Sequence, residues 1–248
     1  MSHPIASAPA NQQPFELGAA TNVLFVHAHP DDESVATGAA IELFVRQGHN
    51  VHLAIATDGQ RSTKGDPTFV ASGGRRRECQ AACGEVLGVA EDRQVYFALP
   101  DGELAVAHNQ IRLAIRLGAY MVQNGVKHIV TPGIEGFDGH PDHIATHRSA
   151  LLASAVAWLC GHRVLVWALR PGDSGEVSVA VDYTRKQSAL NHYVSQFSND
   201  PETRAAQLAS YHHLMHVRES YSRVPVWRIF SAMHSKKSPP KIIQSRLY

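Results

Sequence analysis

No run of apolar residues in this 248-residue chain approaches the ~18–20 needed to span a bilayer. Cysteine is scarce: Cys79, Cys83 and Cys160 are too few and too scattered for a disulfide framework, so a reducing cytosol is the simplest compartment. Charge of one sign is missing too. Lys and Arg number 23 against 22 Asp and Glu, a formal net charge of +1, which gives no global electrostatic case for nucleic acid or an anionic membrane. The opening MSHPIASAPANQQPFELG has neither the basic start nor the apolar core of a signal peptide. The first strand–helix turn has no Gly-x-Gly-x-x-Gly and puts acids where a pyrophosphate would sit, which argues against a nucleotide-binding protein. The expectation is a soluble, cytoplasmic protein, with homo-oligomerisation left open.

An alternation of elements fills the chain. NVLFVHA (22–28), VHLAIAT (51–57), QVYFALP (94–100), KHIVTPG (127–133) and RVLVWAL (163–169) are continuous apolar runs of strand length. Between them, ESVATGAAIELFVRQG (33–48), RRRECQAACGEVLG (75–88), NQIRLAIRLGAYMVQNG (109–125) and DHIATHRSALLASAVAWLC (142–160) carry helical spacing, three of them closed by Gly48, Gly88 and Gly125. Strands buried on both faces and separated by helices mean βαβ units and a Rossmann-like, mainly parallel sheet with helices on both sides: an α/β fold. EVSVAVD (176–182) reads as an edge strand, and 185–197 and 201–219 read as helices. The expected organisation is a flexible arm over 1–20, a single α/β domain over 21–235 and an extended tail over 236–248.

Chemistry concentrates at two strand ends. HAHPDDE (27–33) sets three acids directly after the first apolar strand, and GHPDH (139–143) follows the fourth. Ligands of an open parallel sheet bind outside the carboxyl ends of its strands, so two distant ends can share one crevice. That crevice would collect His29, Asp31, Asp32, His140, Asp142 and His143. Two imidazoles and one carboxylate with a position left open is the composition of a catalytic zinc site. His29 and Asp32 are close enough to reach one ion if the chain turns at Pro30, and His143 can supply the third ligand. The groups left over suit hydrolysis, which needs a base for water and an acid for the leaving group. A capped helix with a solvated acidic turn explains HAHPDDE alone, but not the second His-Pro-Asp. Of the other histidines, His49, His52, His108, His128, His162 and His234 read as packing or surface residues; His147 shares a helical face with His143 and stays open.

HAHPDDE, GHPDH and the late segment KQSALNHYVSQ (186–196) together resemble the zinc-dependent N-deacetylases of the LmbE/PIG-L superfamily, over about Asn22 to Gln196. The resemblance implies that His29, Asp32 and His143 hold zinc, or ferrous iron. It makes Asp31 the general base, His140 an imidazolium that stabilises the oxyanion or protonates the leaving amine, and Asp142 the residue that orients His140. Arg76, among three competing arginines, and Asp101 would contact substrate. Lys186, Ser195 and Gln196 fit a structural role. The expected activity is removal of an N-acetyl group from an N-acetylglucosamine-type conjugate; the alternative is an amidase of the same superfamily that cleaves a larger acyl group.

Overall fold

The computed structural model describes residues 13–62, 73–193, 200–210 and 218–225. In chain order its elements are β1 (Gln13–Pro14), β2 (Asn22–His27), α1 (Asp32–Ala36), α2 (Gly38–Arg46), β3 (Asn50–Thr57), α3 (Gly73–Val86), β4 (Gln94–Leu99), α4 (Ala107–Gln123), β5 (His128–Thr131), α5 (Pro141–Leu159), β6 (Leu165–Arg170), β7 (Val177–Ala180), α6 (Tyr183–Leu190), α7 (Pro201–Ser210) and β8 (Arg218–Arg223). The strands form one sheet in the order β1-β7-β8-β6-β5-β2-β3-β4, parallel except where β8 pairs with β6 and β7. The chain runs outward from β2 through β3 to β4, then crosses back to β5 on the other flank of β2. That reversal makes the carboxyl ends of β2 and β5 a topological switch point, where the fold leaves a crevice.

Period-2 alternation sorts the strand side chains into two cores. Val23, Phe25, Leu53 and Ile55 pack with Phe44 of α2 and Cys83 of α3. Leu24, Val26, Ala54 and Ile129 pack with Leu113, Leu117 and Met121 of α4 and with Ala150 and Ala153 of α5. Each fully buried Leu, Ile or Phe contributes roughly 1.5–3 kcal/mol of transfer free energy. α4 and α5 approach closely at Gly118, where a Cβ would stand 2.8 Å from Val156 Cγ1. Gly48, Gly88 and Gly125, read as helix ends, have φ of +80°, +90° and +60°.

The structure departs from the sequence reading in several places, and the helix read over 185–197 ends at Leu190. Within the stretch read as a loose arm, Gln13–Pro14 pair with β7, and Phe15 is fully buried with its ring centroid 4.8–4.9 Å from those of Phe44, Trp167 and Tyr221. The helix read over 33–48 breaks at Thr37, whose φ of −134° is not helical. Arg218 and Glu219, read as the end of a helix, begin β8. The expected tail at 236–248 lies outside the described residues, as do Ser195 and Gln196. No helix among the described residues is long and apolar enough to cross a membrane.

Candidate metal centre

After β2 the chain passes through His29 and Pro30 into a left-handed residue, Asp31 (φ 109°, ψ −27°), and then into α1. Such a backbone costs a non-glycine residue of order 1–3 kcal/mol and persists where the surroundings fix it. Here the Asp31 N–H donates to Glu33 Oε2 at 3.1 Å, and the Asp31 carbonyl accepts from Ser34 and Val35, each at 3.1 Å. The sharp turn brings Asp32 back under His29, whose own N–H donates to Asp32 Oδ2 at 2.9 Å.

Three donor atoms then face one another. His29 Nδ1 stands 3.2 Å from His143 Nε2, His143 Nε2 stands 3.2 Å from Asp32 Oδ2, and His29 Nδ1 stands 3.6 Å from the same oxygen. Ligands held tetrahedrally at about 2.0–2.1 Å from zinc lie about 3.3–3.4 Å from one another. The three atoms thus span one face of such a tetrahedron, and the residues fit the metal that their chemistry suggests. Their side chains are only 14%, 4% and 6% exposed for His29, His143 and Asp32. Two other groupings bring their donor atoms within 4.8 Å: His29, His140 and His143, and His29, Asp101 and Asp142. Both are chemically poorer. His140 Nδ1 already accepts the Asp142 N–H, and the Asp142 and Asp101 oxygens already accept backbone N–H groups.

The far nitrogen of each imidazole meets carboxylate. His29 Nε2 lies 3.2 Å from Asp101 Oδ1 and 3.3 Å from Asp142 Oδ2. His143 Nδ1 lies 2.7 Å from Asp138 Oδ1, and its ring stacks on Phe137 at 4.3 Å and 20°. For the neutral rings these contacts favour opposite tautomers: a proton on Nε2 of His29, which leaves Nδ1 for a metal, and a proton on Nδ1 of His143, which leaves Nε2. Burial opposes charge on all three donors, yet their mutual attraction wins in the metal-free site. Asp101, Asp142 and Asp32 raise His29 well above the usual imidazole range, and Asp32 and Asp138 push His143 up to about 9. The two imidazoles in turn hold Asp32 well below the usual carboxylate range.

The remaining candidates fall into distinct places. His140 is the N-cap of α5, solvent-exposed, with its ring centroid 4.9 Å from those of both His29 and His143. Its Nδ1 accepts the Asp142 N–H at 3.2 Å, so the ring is neutral with its proton on Nε2; burial and the neighbouring His143 and His29 charges lower its pKa. This replaces the expected imidazolium. Asp142 was expected to orient His140, but its carboxylate faces His29 and accepts the Gly102 and Leu104 N–H groups at 2.8 and 3.0 Å. The reason is the helix start, which turns position 142 inward to full burial. Asp101 is 6% exposed and takes the Arg61 N–H at 2.6 Å, so it lies behind His29 rather than on an open rim. The Arg76 side chain lies outside the described residues, whereas Arg77 is held bidentately by Asp58 at 2.6–2.7 Å. His147 is buried, bonds the Pro132 carbonyl through Nδ1 at 2.8 Å and is kept neutral by burial, with a pKa of about 4. Two residues escaped the sequence reading. Glu33, third acid of the run, is fully buried rather than solvated, and Asp138 backs His143.

The model of the family described as PIG-L: GlcNAc-PI de-N-acetylase matches residues 24–154. Among curated proteins, a 1D-myo-inositol 2-acetamido-2-deoxy-alpha-D-glucopyranoside deacetylase of Salinispora arenicola (strain CNS-205) is 32% identical over 157 residues, which cover 54% of this chain and 51% of the relative. The chain thus spans about half the length of that relative. Among solved structures, the N,N'-diacetylchitobiose deacetylase from Pyrococcus horikoshii superposes with a TM-score of 0.62 at 20% identity, covering 84% of this chain and 85% of that one. A conserved protein from Thermus thermophilus gives 0.61 at 22% identity, covering 92% and 100%. At such identities the structural likeness shows the fold.

Proposed function

Because the chain belongs to the PIG-L (GlcNAc-PI de-N-acetylase) family, we propose that it is a zinc-dependent hydrolase that removes the N-acetyl group from an N-acetylglucosamine-type conjugate. The observation that carries this reading is the triangle of His29 Nδ1, Asp32 Oδ2 and His143 Nε2, with edges of 3.2–3.6 Å. Zinc held by these three residues would supply Lewis-acid polarisation of the amide carbonyl and of the attacking water. Asp31, fixed by its backbone bonds at the mouth of the turn, takes the proton from that water. As the water oxygen joins the acyl carbon, His140 offers its Nε2–H to the charge developing on the carbonyl oxygen. The C–N bond then breaks, and the proton held by Asp31 passes to the leaving nitrogen, giving acetate and a free amine. Asp101 and Asp142 hold the His29 ring through its Nε2–H throughout.

The test combines metal analysis with acetate release over a panel of N-acetylglucosaminyl conjugates and longer-acyl analogues. Asp31→Asn should retain zinc while turnover falls by a factor of about 10²–10⁴, and His143→Ala should lose zinc. An active Asp31→Asn enzyme would remove Asp31 as the base. Full zinc stoichiometry in His143→Ala would remove the ligand set. Release of longer acids in preference to acetate would turn the reading to the amidase.

A further inference from the structure

The loop between β5 and α5 reads PGIEGFDGH (132–140) and ends at the histidine that caps α5. Gly136 and Gly139 adopt φ of +62° and +81°, a conformation that lets the loop fold back over the start of the helix. The approach is close: a Cβ on Gly136 would stand 3.0 Å from His143 Cβ. The fold-back places Phe137 flat on the His143 ring and Asp138 at its Nδ1. One oxygen, Asp138 Oδ1, receives both the His143 Nδ1–H at 2.7 Å and the backbone N–H of His140 at 2.9 Å.

We infer that Asp138 is the positioning residue that makes His143 a metal ligand, by fixing the proton on Nδ1 and thereby presenting the Nε2 lone pair to Asp32 and His29. The inference rests on the assignment of His29, Asp32 and His143 as the ligands. A neutral imidazole carries one proton on either nitrogen, and only the Nδ1–H tautomer leaves Nε2 free to coordinate. A carboxylate at 2.7 Å selects that tautomer with a charge-assisted hydrogen bond and makes the opposite nitrogen a stronger donor. His29 has two carboxylates at its far nitrogen, so the loss of either leaves the other. Asp138 is the carboxylate paired with His143 Nδ1, and the ring's other acidic neighbour, Asp32, lies at Nε2.

The competing account is a loop residue and no more. Asp two residues before an N–H is a common turn-former, and the bond to the His140 N–H needs nothing else. That account leaves the shorter of the two bonds unexplained. It also makes a different prediction, because Asn forms the same turn without the charge. The Asp138 side chain is 30% exposed, so its replacement opens no cavity in the core.

The experiment uses the full chain, stripped of metal and titrated with zinc against a chromophoric chelator, for wild type, Asp138→Asn, Asp138→Ala and His143→Ala. Far-UV circular dichroism and a cooperative melt establish that each variant is folded. Loss of a carboxylate behind a metal-bound histidine lowers affinity by about 10–100-fold, so Asn is expected near the lower figure and Ala near the upper. In the zinc-loaded wild type, nitrogen-15 spectra of the His143 ring should show a protonated Nδ1 with its proton shifted downfield, and that shift should shrink in Asp138→Asn. Zinc binding by both Asp138 variants within twofold of wild type, with binding lost in His143→Ala, would overturn this inference and leave the ligand set standing. A wild-type ring protonated on Nε2 would overturn it as well. Unchanged binding by His143→Ala would instead overturn the ligand assignment beneath it.

Discussion

Glu33 reaches the site through a neighbour's backbone. Its Oε2 accepts the N–H of Asp31, the strained residue offered as the base, while Oε1 accepts from Ser34 Oγ at 2.5 Å, Tyr193 Oη at 2.8 Å and Cys83 Sγ at 3.2 Å. Burial pushes the Glu33 carboxyl up, and those hydrogen bonds from Ser34, Tyr193 and Cys83 oppose the rise only in part. Removing the carboxyl takes the acceptor from the Asp31 N–H and leaves Ser34 Oγ and Cys83 Sγ with each other, while Tyr193 Oη keeps Gln80 Oε1 at 2.5 Å; each buried donor left unpaired costs about 1–3 kcal/mol. Removing the Tyr193 hydroxyl deletes one donor and leaves the acceptor otherwise served. Glu33→Ala is therefore expected to lose about 2–4 kcal/mol of stability and Tyr193→Phe about 1 kcal/mol, read from urea midpoints. Equal losses in the two variants would show that Glu33 is not the hub of this cluster. The run HPDDE announces three acids but not their separate fates. Asp32 turns to the imidazoles and Glu33 to the core because of the left-handed turn at Asp31, a conformation that an aspartate tolerates but does not dictate.

The break between α1 and α2 at Thr37 exposes the start of α2, and its cap comes from far along the chain. Glu219 of β8 accepts the Ala39 and Ala40 N–H groups at 2.9 and 2.8 Å, placing an anion where the helix dipole favours one. Lys186 of α6 lies 2.6 Å from the same carboxylate and donates to the Val35 carbonyl near the end of α1 at 2.9 Å. Both side chains are 2% exposed. Breaking a buried pair from one side strands the other charge, so Lys186→Met should cost about 3–5 kcal/mol. Lys186→Met with Glu219→Gln should cost less than the sum of the two single changes, a coupling that a double-mutant cycle in urea measures. Additive losses would mean that the two groups act separately. This clip explains what sequence periodicity could and could not deliver. The apolar strands and their helices were legible because each needs only its own side chains to show its period. The strand RESYSR was not, because Glu219, Ser220 and Tyr221 are all buried for reasons that lie elsewhere: Lys186, the α2 terminus and the antiparallel neighbours β6 and β7. The two His-Pro-Asp motifs were legible as groups that share one crevice, and the pairing of Asp101 with His29 and of Asp138 with His143 was not, because loop geometry decides which acid backs which ring.

Across the whole molecule, titration sets two edges to the range of stability. His27 and His147 are held neutral with pKa values of about 4, chiefly by burial, against an ordinary value of 6.5. The unfolded chain therefore binds protons that the fold refuses, and stability present above pH 6.5 is lost as pH falls toward 4, by about 3 kcal/mol for each histidine. His143 has the opposite sign in the metal-free protein. Its pKa of about 9 means that the fold holds a proton the unfolded chain releases above 6.5, so its contribution is complete below 6.5 and disappears as pH rises through 9. Zinc at the proposed site would require neutral imidazoles, so its binding would displace that proton and its apparent affinity would rise with pH. A metal ligand with an ordinary imidazole pKa would stop responding soon after pH 6.5; this one should respond to about 9. At fixed free zinc, the gap between the urea midpoints of metal-loaded and metal-free protein is expected to widen from pH 6.5 to 9, while the acid limb below 6.5 persists with or without metal. A gap that levels off near pH ~7, close to the ordinary imidazole value, would mean that Asp32 and Asp138 do not hold a proton on His143, and that the acids gathered at the ends of β2 and β5 are not electrostatically coupled to the ligands they surround.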